Sequence, residues 1–228
     1  MTHAELKAGR LKAGLTQVQA ARRLGVSQPY LSQLEKGDRA ATTDLLRKAA
    51  TLYRLSPTSL PLPERPNPDP DADSGRLAEE LAGLGYPGFA HLRARKANPA
   101  VVLLDALVRP DLAVRLTEAL PWVAFTYSDL DWAWLLQQTK LRDAQNRLGF
   151  VVAVAGGLAT RRLQSKATAR LSAVEQELEH ARLAREDTLC RESMPVVERE
   201  WLVTTRSPLA KHWNLLTGLT SEQLPYAA

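Results

Sequence analysis

The sequence predicts an all-α protein built from a small N-terminal helical domain and a larger C-terminal helical domain. Apolar residues recur at three- and four-residue spacing along most of the 228 positions, which is the period of an α-helix. The two-residue alternation of a β-strand is never sustained, and its best short exception is the segment Trp122–Tyr127. A proline-rich segment then divides the chain, whose length suits one large domain or two small ones.

This proline-rich segment is the predicted linker. Six of the 14 prolines fall within residues 57–70, and the run continues as Pro-Asn-Pro-Asp-Pro-Asp-Ala-Asp up to Asp73. Proline fixes φ and lacks an amide hydrogen, so the segment favours an extended, semi-rigid spacer. We therefore expect a first domain at 1–60, a linker at 61–75 and a second domain at 76–228.

Composition argues against several classes of protein. Cys190 is the single cysteine, which excludes an internal disulfide and fits a reducing cytoplasm. The four histidines are scattered without metal-ligand spacing, so we expect no metal and no cofactor. No apolar run reaches the roughly 18 residues of a membrane span and no signal sequence is visible, so we expect a cytoplasmic protein without membrane association.

Charge is concentrated at the N-terminus. Residues 1–60 carry ten Lys and Arg against four acids, a net charge of +6, whereas the remaining residues carry −1. A compact basic domain attached to a near-neutral one suggests an anionic partner for the first domain only.

Capping signals predict the helices of the first domain. Thr2 with Glu5 and Thr16 with Gln19 each form a capping box, and Ser27 is a cap with a proline in the turn that follows. A fourth helix is expected to begin at a Thr43 cap and a short fifth at Ser56-Pro57. The glycines that can end the first three helices are Gly14, Gly25 and Gly37.

The second and third helices have the spacing of a helix-turn-helix, because only Gly25-Val26-Ser27 joins them. At 100° per residue, Leu31 and Leu34 fall on the buried side of the third helix. Glutamine amides can bind adenine edges, and serine or lysine can bind other bases or phosphates. The face opposite the leucines presents such groups: Gln28, Pro29, Ser32, Gln33 and Lys36.

The stretch LTQVQAARRLGVSQPYLSQLEKG, from Leu15 to Gly37, resembles the phage-repressor-like (Xre/Cro type) helix-turn-helix family. The resemblance covers about residues 3–60 and implies a five-helix, lambda-repressor-like DNA-binding domain. It implies that Arg10 and Glu35 form a buried structural ion pair. The DNA-contacting residues that it implies, together with neighbours on the same face, are Gln17, Gln28, Pro29, Tyr30, Ser32, Gln33, Lys36 and Arg39.

The resemblance also suggests individual roles. Gln17, at the N-terminus of the second helix, is expected to bind a phosphate with help from the helix dipole. Gln28, Ser32 and Gln33 are expected to face the major groove. Pro29 departs from the polar residue often found at its position and can touch only a thymine methyl group. Tyr30 lies on the flank, where it can reach the DNA backbone.

The second domain is predicted to be helical. We expect one long helix from Asp129 to Ala155, ended or kinked by Gly156-Gly157, and a charge-laced helix within 160–192. All five tryptophans lie in this domain, where core and interface positions are both open. The other expected helices are Arg76–Leu84, Ala100–Val108, Asp111–Leu120, 195–205 and 208–217.

No catalytic arrangement is predicted. Asp129 and Asp131 are two apart on one expected helix and cannot face each other. Ser165-Lys166 has the residue types of a self-cleaving repressor peptidase, but that catalytic fold is β-rich. Cys190 has no nearby histidine with an orienting acid. We therefore expect no enzymatic activity.

The expected function is sequence-specific transcriptional repression. A homodimer would bind a palindromic double-stranded operator with half-sites about 34 Å apart or a multiple of that distance. For the second domain two possibilities remain open. It can bind a cognate toxin, which would make the protein the autoregulating antitoxin of a toxin–antitoxin pair, or the protein can be a stand-alone dimeric or small-ligand-gated repressor.

Overall fold

The computed structural model describes residues 1–68 and 73–224. The chain is helical, which confirms the predicted all-α class. The only strands in the described ranges are two residues long each. None of the helices in those ranges is long and apolar enough to cross a membrane.

Two compact units divide the chain. The first comprises residues 1–64 and 96–98, and the second comprises residues 65–95 and 99–228. Asn98 belongs to the first unit because its side chain donates to the carbonyl oxygens of Leu60 at 2.7 Å and Thr58 at 3.3 Å. The linker at 61–75 stays a prediction, and Pro70 within it lies outside the described residues.

Side-chain caps define where the helices of the first unit begin. Both predicted capping boxes form, at Thr2 and Thr16, and the Ser27 hydroxyl accepts from the amide of Tyr30. The fourth helix is capped by Thr42, one residue before the predicted Thr43, and the short fifth helix is a 3₁₀ turn. The elements are α1 (His3–Lys12), α2 (Gln17–Leu24), α3 (Gln28–Lys36), α4 (Thr43–Leu52) and the 3₁₀ turn Pro57–Ser59.

The second unit contains eight helices in the described part of the chain. A pair of parallel strands, in register with Asp187 opposite Leu215, ties the segment after α10 to the segment after α12. The elements are α5 (Ser74–Leu84), α6 (Pro99–Leu107), α7 (Val114–Thr126), α8 (Trp132–Lys140), α9 (Gln145–Arg161), α10 (Ser165–Glu179), β1 (Asp187–Thr188), α11 (Val196–Thr205), α12 (Pro208–His212) and β2 (Leu215–Leu216), with 3₁₀ turns at Pro87–Phe89 and Ser221–Gln223.

Helix α9 is the centre of this unit. It packs along α7 and α10, and it is buried on most of its circumference. The Arg147 guanidinium, almost fully buried, donates to the Asp187 carboxylate at 2.7 and 3.0 Å and to the carbonyl oxygens of Leu107 and Arg109. One side chain of α9 thereby joins the end of α6 to β1.

Several sequence-based expectations for the second unit differ from the structure. The long helix 129–155 is two helices, because Asp143 turns the chain with a φ of 54°, a conformation that Asp tolerates better than most residues. The alternating segment Trp122–Tyr127 lies mostly within α7, which continues through Pro121. Its alternation is misleading, because the consecutive residues Val123, Ala124 and Phe125 are all buried. Gly156-Gly157 does not end α9, because that helix continues to Arg161.

We expect Gly149→Ala and Gly157→Ala, both on α9, to have opposite effects on stability. A Cβ at Gly149 would lie 2.2–2.4 Å from ring atoms of the fully buried Trp213, whereas a Cβ at Gly157 meets nothing within 4 Å. Gly149→Ala should destabilise the unit by about 1–3 kcal/mol or more. Gly157→Ala should stabilise it by up to about 1 kcal/mol.

Thermal unfolding followed by tryptophan fluorescence measures this difference, because all five tryptophans lie in the second unit. Equal melting temperatures for the two variants would contradict the packing of α9 against Trp213.

Candidate nucleic-acid interface

The helix-turn-helix geometry is set by the short connection between α2 and α3. Gly25 ends α2 with a φ of 74°, a left-handed conformation that favours glycine. Ser27 then begins α3, and Pro29 occupies its first turn, where a missing amide hydrogen costs nothing. Alanines 20 and 21 of α2 are buried, so the two helices pack closely.

Helix α3 is two-sided, as its sequence predicts. Leu31 and Leu34 are buried in the core of the unit. The opposite side leaves Pro29, Gln33 and Lys36 exposed. Gln28, Tyr30 and Ser32 are half-buried, and Arg39 is exposed just beyond the helix.

Arg39 and Tyr30 form a pair at one end of this surface. The Arg39 guanidinium carbon lies 5.8 Å from the centroid of the Tyr30 ring. A cation over an aromatic face is held without losing its charge. The arrangement positions a positive group next to the exposed side of α3.

Four side chains form a continuous chain of hydrogen bonds from the core to this surface. Arg10 donates to both carboxylate oxygens of Glu35, at 2.6 and 2.9 Å. Gln17 donates to Glu35 at 2.9 Å, and Gln28 donates to the Gln17 side-chain oxygen at 2.8 Å. The predicted ion pair is therefore confirmed, and it holds the two glutamines that were expected to contact DNA.

The electrostatics of this chain favour its charged form. Burial by itself would raise the pKa of Glu35, but hydrogen bonds from Arg10 and then Gln17 outweigh burial and leave the pKa below its ordinary value. The hydrogen bond to Glu35 raises the pKa of Arg10 in spite of burial. Arg10 also donates to the carbonyl oxygen of Leu15 at 2.7 Å, next to the start of α2.

The bonds of Gln17 were not predicted from the sequence. The sequence placed Arg10 and Glu35 in the scaffold and Gln17 and Gln28 on the DNA side, with nothing to join them. The contact arises because Gln17 is the first residue of α2, from which its side chain reaches Glu35 on α3. The sequence spacing alone does not show this contact. The remaining expected residues (Pro29, Ser32, Gln33 and Lys36) share the outer face of α3 with Gln28.

Cys190 and the pair Ser165-Lys166 are the nucleophile candidates that the sequence offers in the second unit. Cys190 is fully buried, and burial raises the pKa of its thiol to about 11, so the thiol stays protonated at neutral pH. Ser165 begins α10, with Lys166 exposed beside it. In the ranges 1–68 and 73–224, no group of three or more His, Cys, Asp or Glu side chains is arranged to hold a metal ion.

Comparison with known proteins agrees with the geometry of the first unit. A family model described as helix-turn-helix matches residues 6–60. The first unit is a helix-turn-helix domain. The match confirms the family that the segment Leu15–Gly37 resembles, and the protein is a DNA-binding transcription regulator.

The match covers roughly a quarter of the chain. Neither a curated protein nor a solved structure matches this sequence significantly.

We expect Glu35→Gln to destabilise the first unit by about 3–5 kcal/mol near neutral pH, because it leaves the buried Arg10 cation without its counter-charge. Hydrogen–deuterium exchange of the α1 and α3 amides in the full-length protein measures the loss. Asp44→Asn is the matched control: Asp44 is exposed and lies 3.6 Å from an exposed Arg47, so its loss should change stability by less than about 0.5 kcal/mol.

The same comparison has a defined pH dependence. The pKa of Glu35 is lowered by folding. The contribution of its charge to the free energy of unfolding is therefore complete above the pKa of the unfolded state, about 4.3, and is lost as the pH falls through the pKa of the folded state. The difference between the wild-type protein and Glu35→Gln should therefore narrow below about pH 4. A difference that stayed constant under acid would contradict the charged pair.

Proposed function

We propose that the protein is a cytoplasmic, sequence-specific transcriptional repressor that binds a palindromic operator as a homodimer. The observation that carries the proposal is the hydrogen-bond chain that ties Gln17 and Gln28 to the buried Arg10–Glu35 pair. A braced amide loses less conformational entropy when it binds a base, so bracing favours recognition of sequence over general adhesion to DNA.

Each side chain of the outer face suits a different part of the DNA. Gln28 and Gln33 carry amides that can bind adenine through two hydrogen bonds, and Ser32 can bind either a base edge or a phosphate. Gln17 combines its remaining amide hydrogen with the N-terminal end of α2, where phosphate is favoured. Tyr30, Lys36 and Arg39 are placed to contact the backbone, and Pro29 to touch a thymine methyl.

A homodimer is expected because a single helix-turn-helix unit contacts too little DNA for specific binding. One helix-turn-helix unit contacts only a few base pairs, whereas two units related by a two-fold axis read two half-sites. The half-sites are expected about 34 Å apart or a multiple of that distance.

We expect Gln28→Ala and Gln17→Ala to weaken DNA binding in different ways. Gln28→Ala should cost about 1–3 kcal/mol on the preferred sequence, and little on other sequences, because a base contact is lost. Gln17→Ala should weaken binding to every sequence through the lost phosphate contact. It should also reduce the preference in part, because Gln28 loses its hydrogen-bond acceptor.

The measurement is selection from a random DNA library followed by fluorescence anisotropy on preferred and scrambled duplexes. Gln137→Ala, on an exposed position of α8, is the control. If the wild-type protein makes about 6–10 phosphate contacts, raising the salt from 50 to 200 mM should weaken its complex with DNA roughly 10³–10⁵-fold. Equal losses on all duplexes for Gln28→Ala would show that α3 does not read bases through this residue.

As a second role, we infer that the helical unit binds a cognate toxin, so that the protein is an antitoxin that represses its own promoter. The corner between α9 and α10 supports this role. Leu163 at its tip is 90% exposed, and four cations lie near it in sequence: Arg161, Arg162, Lys166 and Arg170. An exposed aliphatic side chain with cations near it in sequence fits an acidic partner surface with an apolar pocket.

Native mass spectrometry of the tagged full-length protein, purified from its own cells, tests this role. We expect a second protein at a fixed stoichiometry that Leu163→Asp loses and Leu141→Asp retains. Both leucines are exposed, and Asp tolerates the positive φ of Leu163, so neither variant should misfold. A bare homodimer, or one that carries a small molecule, would instead favour a stand-alone or ligand-gated repressor.

A further inference from the structure

A group of basic side chains lies outside the predicted DNA-contacting residues, in the irregular segment that precedes α6. Residues 91–96 read His-Leu-Arg-Ala-Arg-Lys, and no acid occurs anywhere from Leu81 to Leu104. The net charge of −1 beyond residue 60 hides this group, because acids elsewhere in the chain balance it. We call residues 91–96 the basic segment.

Backbone contacts fix the basic segment on α5. The amide of Arg95 donates to the carbonyl oxygen of Glu79 at 2.9 Å. A Cβ at Gly83 would lie 2.0 Å from the carbonyl oxygen of Arg95, so only glycine allows the segment to approach the helix this closely. A segment that is already ordered loses less conformational entropy when it binds a ligand.

Lys96, the last residue of the basic segment, belongs to the helix-turn-helix unit. It lies two residues before Asn98, which is buried and donates to the carbonyl oxygens of Thr58 and Leu60 within that unit. The Cα atoms of Lys96 and Asn98 are therefore at most about 7 Å apart. The stretch of the unit that receives Asn98 carries no acid either, and its charged residues from position 45 to position 63 are Arg47, Lys48 and Arg54.

Most of the acids on the helices that flank the basic segment are buried and paired. Glu80 lies 3.5 Å from Arg95 and 3.6 Å from Arg76, and Asp105 lies 2.9 Å from Arg76. Both of these carboxylates are buried. Glu79, the other acid of α5, is half-buried and forms no ion pair within the ranges 1–68 and 73–224. A single half-buried carboxylate is thus left to oppose the exposed cations of the segment.

Arg93 and Lys96 are the cations of the segment that no acid neutralises. Both are exposed, and neither side chain forms an ion pair or a hydrogen bond in the described part of the chain. The Arg95 side chain is 54% exposed in spite of its contact with Glu80. The Cα atoms of Arg93 and Lys96 are at most about 11 Å apart. Since DNA carries one negative charge per about 1.7 Å of its axis, each of these cations can meet its own phosphate.

We propose that the basic segment binds the DNA backbone, through phosphates beyond the base pairs that α3 is proposed to contact. DNA is the polyanion that the helix-turn-helix unit binds, and Lys96 is part of that unit. Guanidinium and ammonium groups bind phosphate whatever the base sequence, so the segment adds affinity without adding specificity. The inference rests on DNA binding, and it requires neither a palindromic operator nor repression.

The double variant Arg93→Gln/Lys96→Gln tests this contact in the full-length protein. Fluorescence anisotropy between 50 and 200 mM salt gives the slope of log affinity against log salt concentration. Two lost phosphate contacts should reduce that slope by about 1.8 for each bound chain, so the loss of affinity across this range becomes about 12-fold smaller. The preference for a selected duplex over a scrambled one should stay the same, because no base contact is removed.

Arg185→Gln/Lys211→Gln is the matched control. It removes one arginine and one lysine from exposed positions of the second unit that lie outside the basic segment, and it should leave the slope unchanged. An unchanged slope for Arg93→Gln/Lys96→Gln, or an equal reduction in the control, overturns the proposal.

Cleavage by a tethered iron chelate gives a second readout that removes no charge. Ala94→Cys places a thiol on an exposed position of the basic segment, and Ala184→Cys places one on an exposed position elsewhere. The native Cys190 takes up no chelate, because it is fully buried. The labelled Ala94→Cys protein should cut a bound duplex, whereas the labelled Ala184→Cys protein should not. Cleavage by Ala94→Cys that does not exceed that of Ala184→Cys overturns the proposal.

These outcomes separate the basic segment from the proposed sequence-specific repressor. The salt slope and the cleavage can be measured on any duplex that the protein binds, so they do not depend on an operator. If Gln28→Ala loses sequence preference while Arg93→Gln/Lys96→Gln keeps the wild-type slope, only the role of the segment is wrong. If the slope falls while Gln28→Ala keeps the preference, the segment binds DNA and the proposed base contact is wrong.

Discussion

The buried ion pair between Arg10 and Glu35 organises the first unit. Its side chains are 7% and 2% exposed, so each charge depends on the other, and removing either one would leave an uncompensated charge in the core. The pair joins α1 to α3 directly and reaches the start of α2 through Gln17 and the carbonyl of Leu15. The relative positions of α2 and α3 are thus coupled to one electrostatic contact.

A buried pair of this kind is not needed for stability alone, because apolar residues of similar volume often stabilise a core as well or better. What apolar residues cannot supply is the acceptor that Glu35 offers to Gln17. The carboxylate uses one oxygen for Arg10 and the other for both Arg10 and Gln17. Its charge therefore serves to orient an amide, and through it the amide of Gln28, in addition to holding the fold.

Sequence-based prediction succeeded where structure is decided locally. Thr2, Thr16 and Ser27 cap helices because their hydroxyls reach amides three residues ahead, which the sequence spacing already specifies. It failed where distant contacts decide. Asp143 divides one apolar pattern between α8 and α9, and Trp122–Tyr127 lies mostly within α7, where Val123, Ala124 and Phe125 are buried in succession. The hydrogen bonds of Gln17 depend on three elements at once, so no local signal predicts them.

The fate of the five tryptophans illustrates the same limit. Their sequence positions leave both core and interface open, and only packing separates them. Trp213 is fully buried because Gly149 leaves room for its ring on α9, so a glycine 64 positions earlier decides its environment. Trp201 lies on a helix whose single buried residue is Leu202, and its ring stays largely exposed. The burial of each ring follows the space that other elements leave for it.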